Sequence, residues 1–428
     1  MASSTPKQPH PWWVGIVSGM ASYIDSAAIV SFGIGIVIYQ FALGFDAAQV
    51  GIASALLTLG IAVGALFGGK LGDRFGRRPV FSTTMVVIAI GAALLVFGDS
   101  FAVVVVGAAL IGLGTGADLP VSLSTISEAA TDANRGRILA FSNMLWLVGI
   151  VVAILLGTFL GNLGRPGAQI LFAHLGVVAL LVLAARLTIP ESATWVTARD
   201  ERRAGTATVR ADRATVRDLL RAPYAVPLLA LVAFYSLVNL SFNTFGQFGP
   251  YLLVNSAGLD VSAASSIGLI ALPVGAVTLL IFMRFADKPV RFKLFIAGAI
   301  VAIVGSLVPV VFGFSVATYI VALAMMAAGA SFAGEAIMKI WSQEQFPTLL
   351  RTTAQGTVIS VARFAAAGGA AITPLVVSAG TGILFGALAV VNALGLLIAF
   401  LVFRTRDRRN EFTIESRPDA AVLEETTA

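Results

Sequence analysis

The sequence predicts an all-α membrane protein whose twelve transmembrane helices form two six-helix pseudo-repeats. Three observations predict it. Hydrophobic residues make up 58% of the 428 positions and charged residues only 12%, about half the charged share of a soluble domain. The apolar residues fall in runs of about 18 to 25, the length that crosses a bilayer as helix. The charges also sort by loop. With the N-terminus placed inside, the outer loops hold Arg165 alone among the basic residues, Lys339 and Arg363 fall within spans, and the rest of the 28 lysines and arginines are cytoplasmic or at that interface. That asymmetry places both termini in the cytoplasm, the protein being integral to the cell's inner membrane. The net charge of +6 therefore reports topology, and no nucleic-acid partner is expected. With no cysteine in the chain, a disulfide scaffold is excluded.

Apolar runs bounded by Gly, Pro and charge place the spans at 13–40, 50–69, 79–97, 101–125, 138–161, 169–189, 225–253, 262–284, 293–313, 316–340, 353–378 and 381–403. The first run follows a single lysine and carries no cleavage site, so it reads as span 1 and not as a signal peptide. Residues 1–12 form a cytoplasmic tail and 13–189 a first six-helix half. Residues 190–222 are a linker dense in charge, with Arg199, Glu201, Arg202, Arg203 and Arg210 among others. Residues 223–403 form the second half. The tail 404–428 opens on Arg404, Arg406, Arg408 and Arg409, which suits the anionic inner leaflet. Trp12, Trp13 and Trp195 read as interfacial anchors.

The halves repeat at an offset of about 216 residues. Glu128 and Arg135 stand seven apart after span 4, and Glu344 and Arg351 stand seven apart after span 10; Asp73 and Asp287 correspond after spans 2 and 8. Six-helix repeats with a site between them at the midplane are a transporter architecture.

Residues 68–78 read GGKLGDRFGRR. Gly69 and Gly76 allow close packing and a tight turn, and Asp73 is placed to accept from helix ends or arginines. With Leu71, Gly72, Arg74, Arg77 and Arg78, this stretch resembles the loop signature between helices 2 and 3 of the major facilitator superfamily. The resemblance implies the twelve-helix fold of that family, and a latch that holds one conformational state, built on Gly69, Asp73, Arg74, Gly76, Arg77, Arg78, Glu128, Arg135, Glu344 and Arg351. The second copy, Arg284 to Arg291, lacks both glycines. Glu128 with Arg135-Gly136-Arg137, Pro190-Glu191-Ser192 with Trp195, and Phe346-Pro347-Thr348 before Arg351 resemble the sugar-porter and metabolite:proton symporter branch. Two departures argue against a dedicated glucose carrier: the sugar signature of span 7 is absent, and Arg404-Thr405-Arg406-Asp407 replaces the expected motif after span 12. Residues 116–122, GADLPVS, are similar to a span 4 stretch of phosphate permeases and other metabolite carriers.

Charge inside the hydrocarbon is costly and usually faces a polar cavity. Asp25 in span 1, Asp118 in span 4, and Glu335, Lys339 and Arg363 in spans 10 and 11 meet that description. Asp25, Asp118 and Glu335 are the candidates for proton coupling, Asp25 because the family commonly carries an acid there. Asp118 and Glu335 stand 217 apart, which places an acid at matching depth in both halves. Glu335 and Lys339, one turn apart, either neutralise each other or leave Lys339 for a ligand. Asp118 has the alternative of a silent partner on span 5 or span 11. Arg363 has no acid one turn away, so its partner comes from another helix or from the ligand.

Asn239, Asn243 and Gln247 recur every four residues on one face of span 7. Amides donate and accept, which suits a ligand with several hydroxyls. Tyr235 extends the row, and Asn143 and Trp146 on span 5 complete the candidate substrate site with Lys339 and Arg363. Trp341 is either a stacking surface or an interface anchor. His10 and His174 form no metal set, and the glycines of residues 112–116 lack a phosphate-loop lysine, so neither metal nor cofactor is expected. The function expected is secondary transport, without enzymatic activity, by a monomer that takes up a small polar metabolite of sugar or polyol type with protons. Organic-acid uptake, uniport and drug:proton export are the rivals within carriers, and a non-transporting receptor is the rival outside them.

Overall fold

A computed structural model of the chain describes residues 9–129, 135–192, 196, 219–221, 224–285, 288–346 and 348–407. Among the described residues all regular structure is helical: α1 (Pro11–Leu43), α2 (Ala47–Phe75), α3 (Arg77–Phe97), α4 (Phe101–Ala129), α5 (Arg135–Leu160), α6 (Arg165–Arg186), α7 (Ala225–Ala257), α8 (Val261–Phe285), α9 (Arg291–Val311), α10 (Val316–Ala333), α11 (Glu335–Glu344), α12 (Thr348–Ala379) and α13 (Thr381–Arg406), with a 3-10 turn at Gly161–Leu163. Twelve spans are long and apolar enough to cross a membrane, α10 and α11 sharing one of them.

The ends of these helices follow local chemistry. Pro11 opens α1, where its missing N–H costs nothing, and Gly44 closes it in the left-handed region at φ 71°. Asp46 with Gln49 and Ser315 with Thr318 form reciprocal caps on α2 and α10. Gly76, at φ 103°, makes the turn between α2 and α3 that a side chain would strain. Span 6 begins at Arg165, earlier than the sequence predicts, because Gly164 turns the chain at φ 65° and Pro166 starts the helix at once. Span 10 departs most from expectation. Predicted as continuous over 316–340, it breaks at Gly334, whose φ −116° and ψ −134° lie outside the helical region.

The chain forms two compact units. The first comprises Met1–Asp212, Gly246–Ser266 and Ala367–Leu375. Within it α1 packs on α4, α5 and α6, α3 on α4 and α6, and α2 along α4. The α2–α4 seam is backbone on backbone: a Cβ on Gly64 would stand 2.8 Å from the Ala117 nitrogen, and one on Gly116 would stand 2.8 Å from the Ile61 carbonyl carbon. Phe32, Tyr39, Phe81 and Phe172 are buried in this unit. The second unit comprises Arg213–Phe245, Ile267–Ala366 and Val376–Ala428. There α9 packs on α10 and α13, and Trp341 lies flat on Phe403, ring centroids 4.2 Å apart, with Phe234 and Phe295 at its edges. Large apolar side chains such as Phe159 and Phe312 project outward, the surface that lipid tails solvate in a spanning protein.

Candidate functional site

The break at Gly334 places Glu335 in the first turn of α11. Unpaired peptide N–H groups there favour a carboxylate. Lys339, one turn on, donates to it at 2.7 Å, with the two side chains 50% and 43% exposed for Glu335 and Lys339. Charges at membrane depth are tolerated where they line open space, as these do. Tyr235 of α7, 4% exposed, interacts electrostatically with Glu335 and accepts from Asn239 Nδ2 at 3.4 Å. Arg363 of α12 acts electrostatically on both Glu335 and Tyr235. Asn239 Oδ1 is buried and makes no hydrogen bond among the described residues. Asn243, half-buried, follows one turn along α7. The second unit thus gathers Tyr235, Asn239, Glu335, Lys339 and Arg363 into one row of donors and acceptors.

Asp25 is 2% exposed. Near it on α1, Ser22 Oγ and Ser142 Oγ of α5 share a hydrogen bond of 2.7 Å and Ser26 Oγ donates to the Trp146 carbonyl at 2.6 Å. The Trp146 ring itself is 42% exposed. Asp118 has a different setting from Glu335, despite their matched positions in the repeat. Arg186 of α6, fully buried, donates Nη1 to Asp118 Oδ1 and Nη2 to Oδ2, the latter at 2.8 Å. Thr84 donates to the same carboxylate at 3.0 Å, and Arg186 also reaches Ser122 and the Phe81 carbonyl. The partner is on span 6, not on span 5 or 11 as the sequence suggested, because Arg186 closes α6 beside α4 instead of lying at the membrane surface.

At the Gly76 turn, Glu191 caps α3 by accepting from the Arg77 and Arg78 amides at 2.8 and 3.2 Å. Arg78 also donates to the Leu187 carbonyl at 3.1 Å, and Arg74 lies over its neighbour Phe75. In the second unit Arg291, at the start of α9, donates to both Glu344 oxygens at 2.8 and 2.6 Å and through Nε to Asp407 Oδ1 at 2.9 Å. Trp341 Nε1 donates to the same Asp407 oxygen at 2.8 Å. Fully buried there, Trp341 is neither an interface anchor nor a ligand platform. The described partner of Glu344 is Arg291. Gly69 lies within α2, whereas Asp287, the side chains of Asp73, Glu128, Arg135, Asn143 and Arg351, and the charged linker between 197 and 218 lie outside the described residues.

The opposite end of the first unit is held by amides. Gln40 and Asn255 exchange hydrogen bonds of 2.8 and 3.2 Å. Asn162 donates to Asp260 at 2.8 Å and accepts from the Ser262 amide at 3.2 Å. The Ala263 amide, then Asn162, holds the Asp260 carboxyl below its ordinary value of 3.8. A cavity of about 400 Å³ lies beside this contact, lined by Ile38, Phe41, Asn162, Val254 and Asp260 among others. Gln247, also in this unit, is buried against α2, its Nε2 donating to the Ser54 carbonyl at 3.5 Å.

The description "Major Facilitator Superfamily" belongs to the family model that matches residues 12–374. The chain belongs to that superfamily. A curated member, the minor myo-inositol transporter IolF of Bacillus subtilis (strain 168), is 33% identical over 397 residues, which cover 90% of each protein. The 3-(3-hydroxy-phenyl)propionate transporter of Escherichia coli (strain K12) is 29% identical and covers 86% of this chain and 87% of that protein. Among solved structures, a D-xylose-proton symporter matches with a TM-score of 0.74 at 16% identity, covering 92% of this chain and 98% of that one. The inward open conformation of the xylose transporter XylE from E. coli matches with a TM-score of 0.72 at 16% identity, over 91% and 96%. At that identity the structural likeness establishes the fold. As a member of the superfamily, the chain is a membrane transporter and not an enzyme.

Of the predicted site residues of this superfamily member, Asn239, Asn243, Glu335, Lys339 and Arg363 belong to the second unit, and Asp25, Asp118, Trp146 and Gln247 to the first. Several residues escaped sequence reasoning. Arg291 stands four after Asp287 as Arg77 stands four after Asp73, and Asp407 follows Glu191 by 216; the repeat itself could have found both. Gln40, Asn162, Asn255 and Asp260 sit in turns or at helix ends with no periodic signal.

Proposed function

We propose that the chain is a proton-coupled symporter of a small neutral polyhydroxylated metabolite, a cyclitol or sugar, working by alternating access as a monomer in a bacterial inner membrane with both termini cytoplasmic. The observation that carries this reading is the row of Tyr235, Asn239, Glu335, Lys339 and Arg363 at a broken span, in which Glu335 and Lys339 are half-exposed. Broken spans supply ion and substrate sites in transporters, and amides with a hydroxyl suit hydroxyl-bearing ligands. The similarity to a myo-inositol transporter and to sugar-proton symporters supports the same substrate class. Asp25 and Glu335 are the acids we assign to proton coupling; Asp118, closed by Arg186, we assign to structure. Residues 13–189 and 223–403 are the two halves that rock, with 190–222 joining them.

The test is uptake into proteoliposomes under an imposed pH gradient, against a panel of cyclitols, sugars and carboxylates. Accumulation of a polyol that collapses with the gradient is expected. Equal uptake with and without the gradient would overturn proton coupling. Organic-acid uptake is the second reading, favoured by the two cations Lys339 and Arg363 in one row and by the similarity to a 3-(3-hydroxy-phenyl)propionate transporter; accumulation of carboxylates alone would select it.

A further inference from the structure

We propose that His174 is a positioning residue of the first unit: only its neutral imidazole holds Tyr23, and with it the stretch of α1 that carries Asp25, so protonation of His174 sets the acid limit of transport. This rests on the transport reading above and adds to it a means of regulation.

His174 lies near the middle of α6, where a charged ring stands at membrane depth. Its Nε2 shares a hydrogen bond of 2.6 Å with the Tyr23 hydroxyl of α1, and the two rings meet edge to face with centroids 5.8 Å apart. Tyr23 is buried. His174 Nδ1 is buried too and makes no hydrogen bond among the described residues. The Leu171 carbonyl, one turn back, acts on the ring but already serves the α6 ladder. Titratable side chains on the elements packed against α6 are few. From α1 come Tyr23, Asp25 and Tyr39, and the Tyr39 hydroxyl donates to the Leu95 carbonyl. Residues 80–97 of α3 and 138–160 of α5 carry none. Arg165 and Arg186 stand at the two ends of α6, the first on the Gly98 carbonyl and the second on Asp118.

The argument is a count of hydrogens. A neutral imidazole has one N–H and one lone pair. With the hydrogen on Nδ1, Tyr23 donates to Nε2 and the Nδ1 hydrogen is unplaced; with it on Nε2, Tyr23 accepts and the phenol hydrogen is unplaced. Either tautomer leaves one donor without a partner. An imidazolium donates from both nitrogens, so the Nδ1 hydrogen and the phenol hydrogen are unplaced together, and a charge is added in an apolar setting. That cost exceeds the worth of one neutral hydrogen bond, so protonation parts Tyr23 from His174. The neighbouring polar contacts of α1, Ser22 with Ser142 and Ser26 with the Trp146 carbonyl, go to α5. The Tyr23 contact is the one that ties this stretch to α6.

The chain has two histidines, so imidazole NMR of the purified protein follows His174, with the spectrum of His174→Gln as its assignment. Glutamine offers Tyr23 an uncharged amide and does not titrate. The functional readout is equilibrium exchange of myo-inositol in proteoliposomes at equal pH on both sides, where no gradient contributes. Exchange should fall through the His174 midpoint as pH is lowered. One unit below that midpoint about a tenth of the wild-type protein keeps a neutral ring, so His174→Gln should exchange about tenfold faster there and about equally well above it. Exchange that falls at a different midpoint overturns the proposal, even where His174→Gln does not fold. So does a variant with the wild-type acid limb, or a His174 that stays neutral down to about pH 4, where carboxylates titrate instead. Absence of myo-inositol exchange at every pH overturns the polyol reading, and melting in detergent over the same pH range then decides this one. The wild-type protein should lose stability as pH falls through the His174 midpoint; a melting temperature flat through it overturns the proposal.

Discussion

Where α3, α6, α9 and α13 meet their neighbours near the Gly76 turn or its counterpart in the second half, the contacts join full charges: Arg186 with Asp118, and Arg291 with Glu344 and Asp407. At the far ends of α1, α5, α7 and α8 the described side-chain contacts between sequence halves have a neutral amide on at least one side: Gln40 with Asn255, Asn162 with Asp260. The charged contacts each lie within one unit and within one half of the sequence. The amide contacts lie within the first unit but join segments drawn from both halves. A buried ion pair, once formed, is expensive to break because one partner is stranded. A neutral hydrogen bond nets only about 1 kcal/mol. On these energies the ion-paired contacts are the costlier to open and the amide contacts the cheaper.

The largest expected effect tests the ion-paired contacts. Arg186→Met strands a buried carboxylate and should cost about 3–5 kcal/mol, while Arg186→Met with Asp118→Leu should recover most of it. Thermal melting and monodispersity in detergent measure this. A recovered double variant that still transports would also leave Asp118 with a structural role only, whereas a folded but inactive one would return it to the transport chemistry.

Next is Asp407→Ala, which removes one of two acids from Arg291 and the acceptor from Trp341 Nε1. A loss of about 2 kcal/mol is expected, with a change in tryptophan emission on unfolding at lower temperature. A wild-type melting curve would remove Asp407 from the costlier contacts.

A smaller effect sharpens the contrast. Asn162→Ala and Gln40→Ala should leave melting nearly unchanged yet shift the population in which the amide end has parted. The chain has no cysteine, so Ile38→Cys, at a side chain 3% exposed beside the cavity, serves as a reporter. Its labelling rate should rise about fivefold in either background. If Asn162→Ala instead lowers stability as much as Asp407→Ala, the distinction between the ends fails.

The smallest effect is pH. Asp260 has a depressed pKa, so its contribution to the contact is present above the ordinary value of 3.8 and lost as pH falls through the lower folded value. Labelling at Ile38→Cys should be flat from neutral pH down to about 4 and rise only below it. A rise near neutral pH would mean that another group governs this end.

Much of the fold was legible because membrane spans announce themselves one by one: length and apolarity set each helix, without any need to know its neighbours. The row on α7 was legible for a related reason, since Asn239 and Asn243 share a face by helical period alone. What period cannot give is depth and partner. Gln247 continues the same face but belongs with α2, and Asp118 matches Glu335 in the repeat yet meets an arginine that loop-by-loop charge counting had assigned to the surface. The break at Gly334 was hidden because a glycine inside an apolar run reads equally as packing or as interruption. The amide contacts were hidden because hydrogen bonds between turns distant in sequence leave no local pattern.

The α2–α4 seam has a mechanical meaning. Where two helices meet backbone to backbone, as at Gly64 and Gly116, few side chains lie between them to change rotamer, so that part of the seam offers little soft coordinate along which one can slide past the other. In mechanical terms α2 and α4 are one beam along that stretch. The compliance of the first unit must then lie elsewhere, along α1 and α5, where Ser22, Ser26 and Ser142 make single hydroxyl contacts that can be exchanged one at a time. Asp25 rides on the compliant part, beside the stiff one.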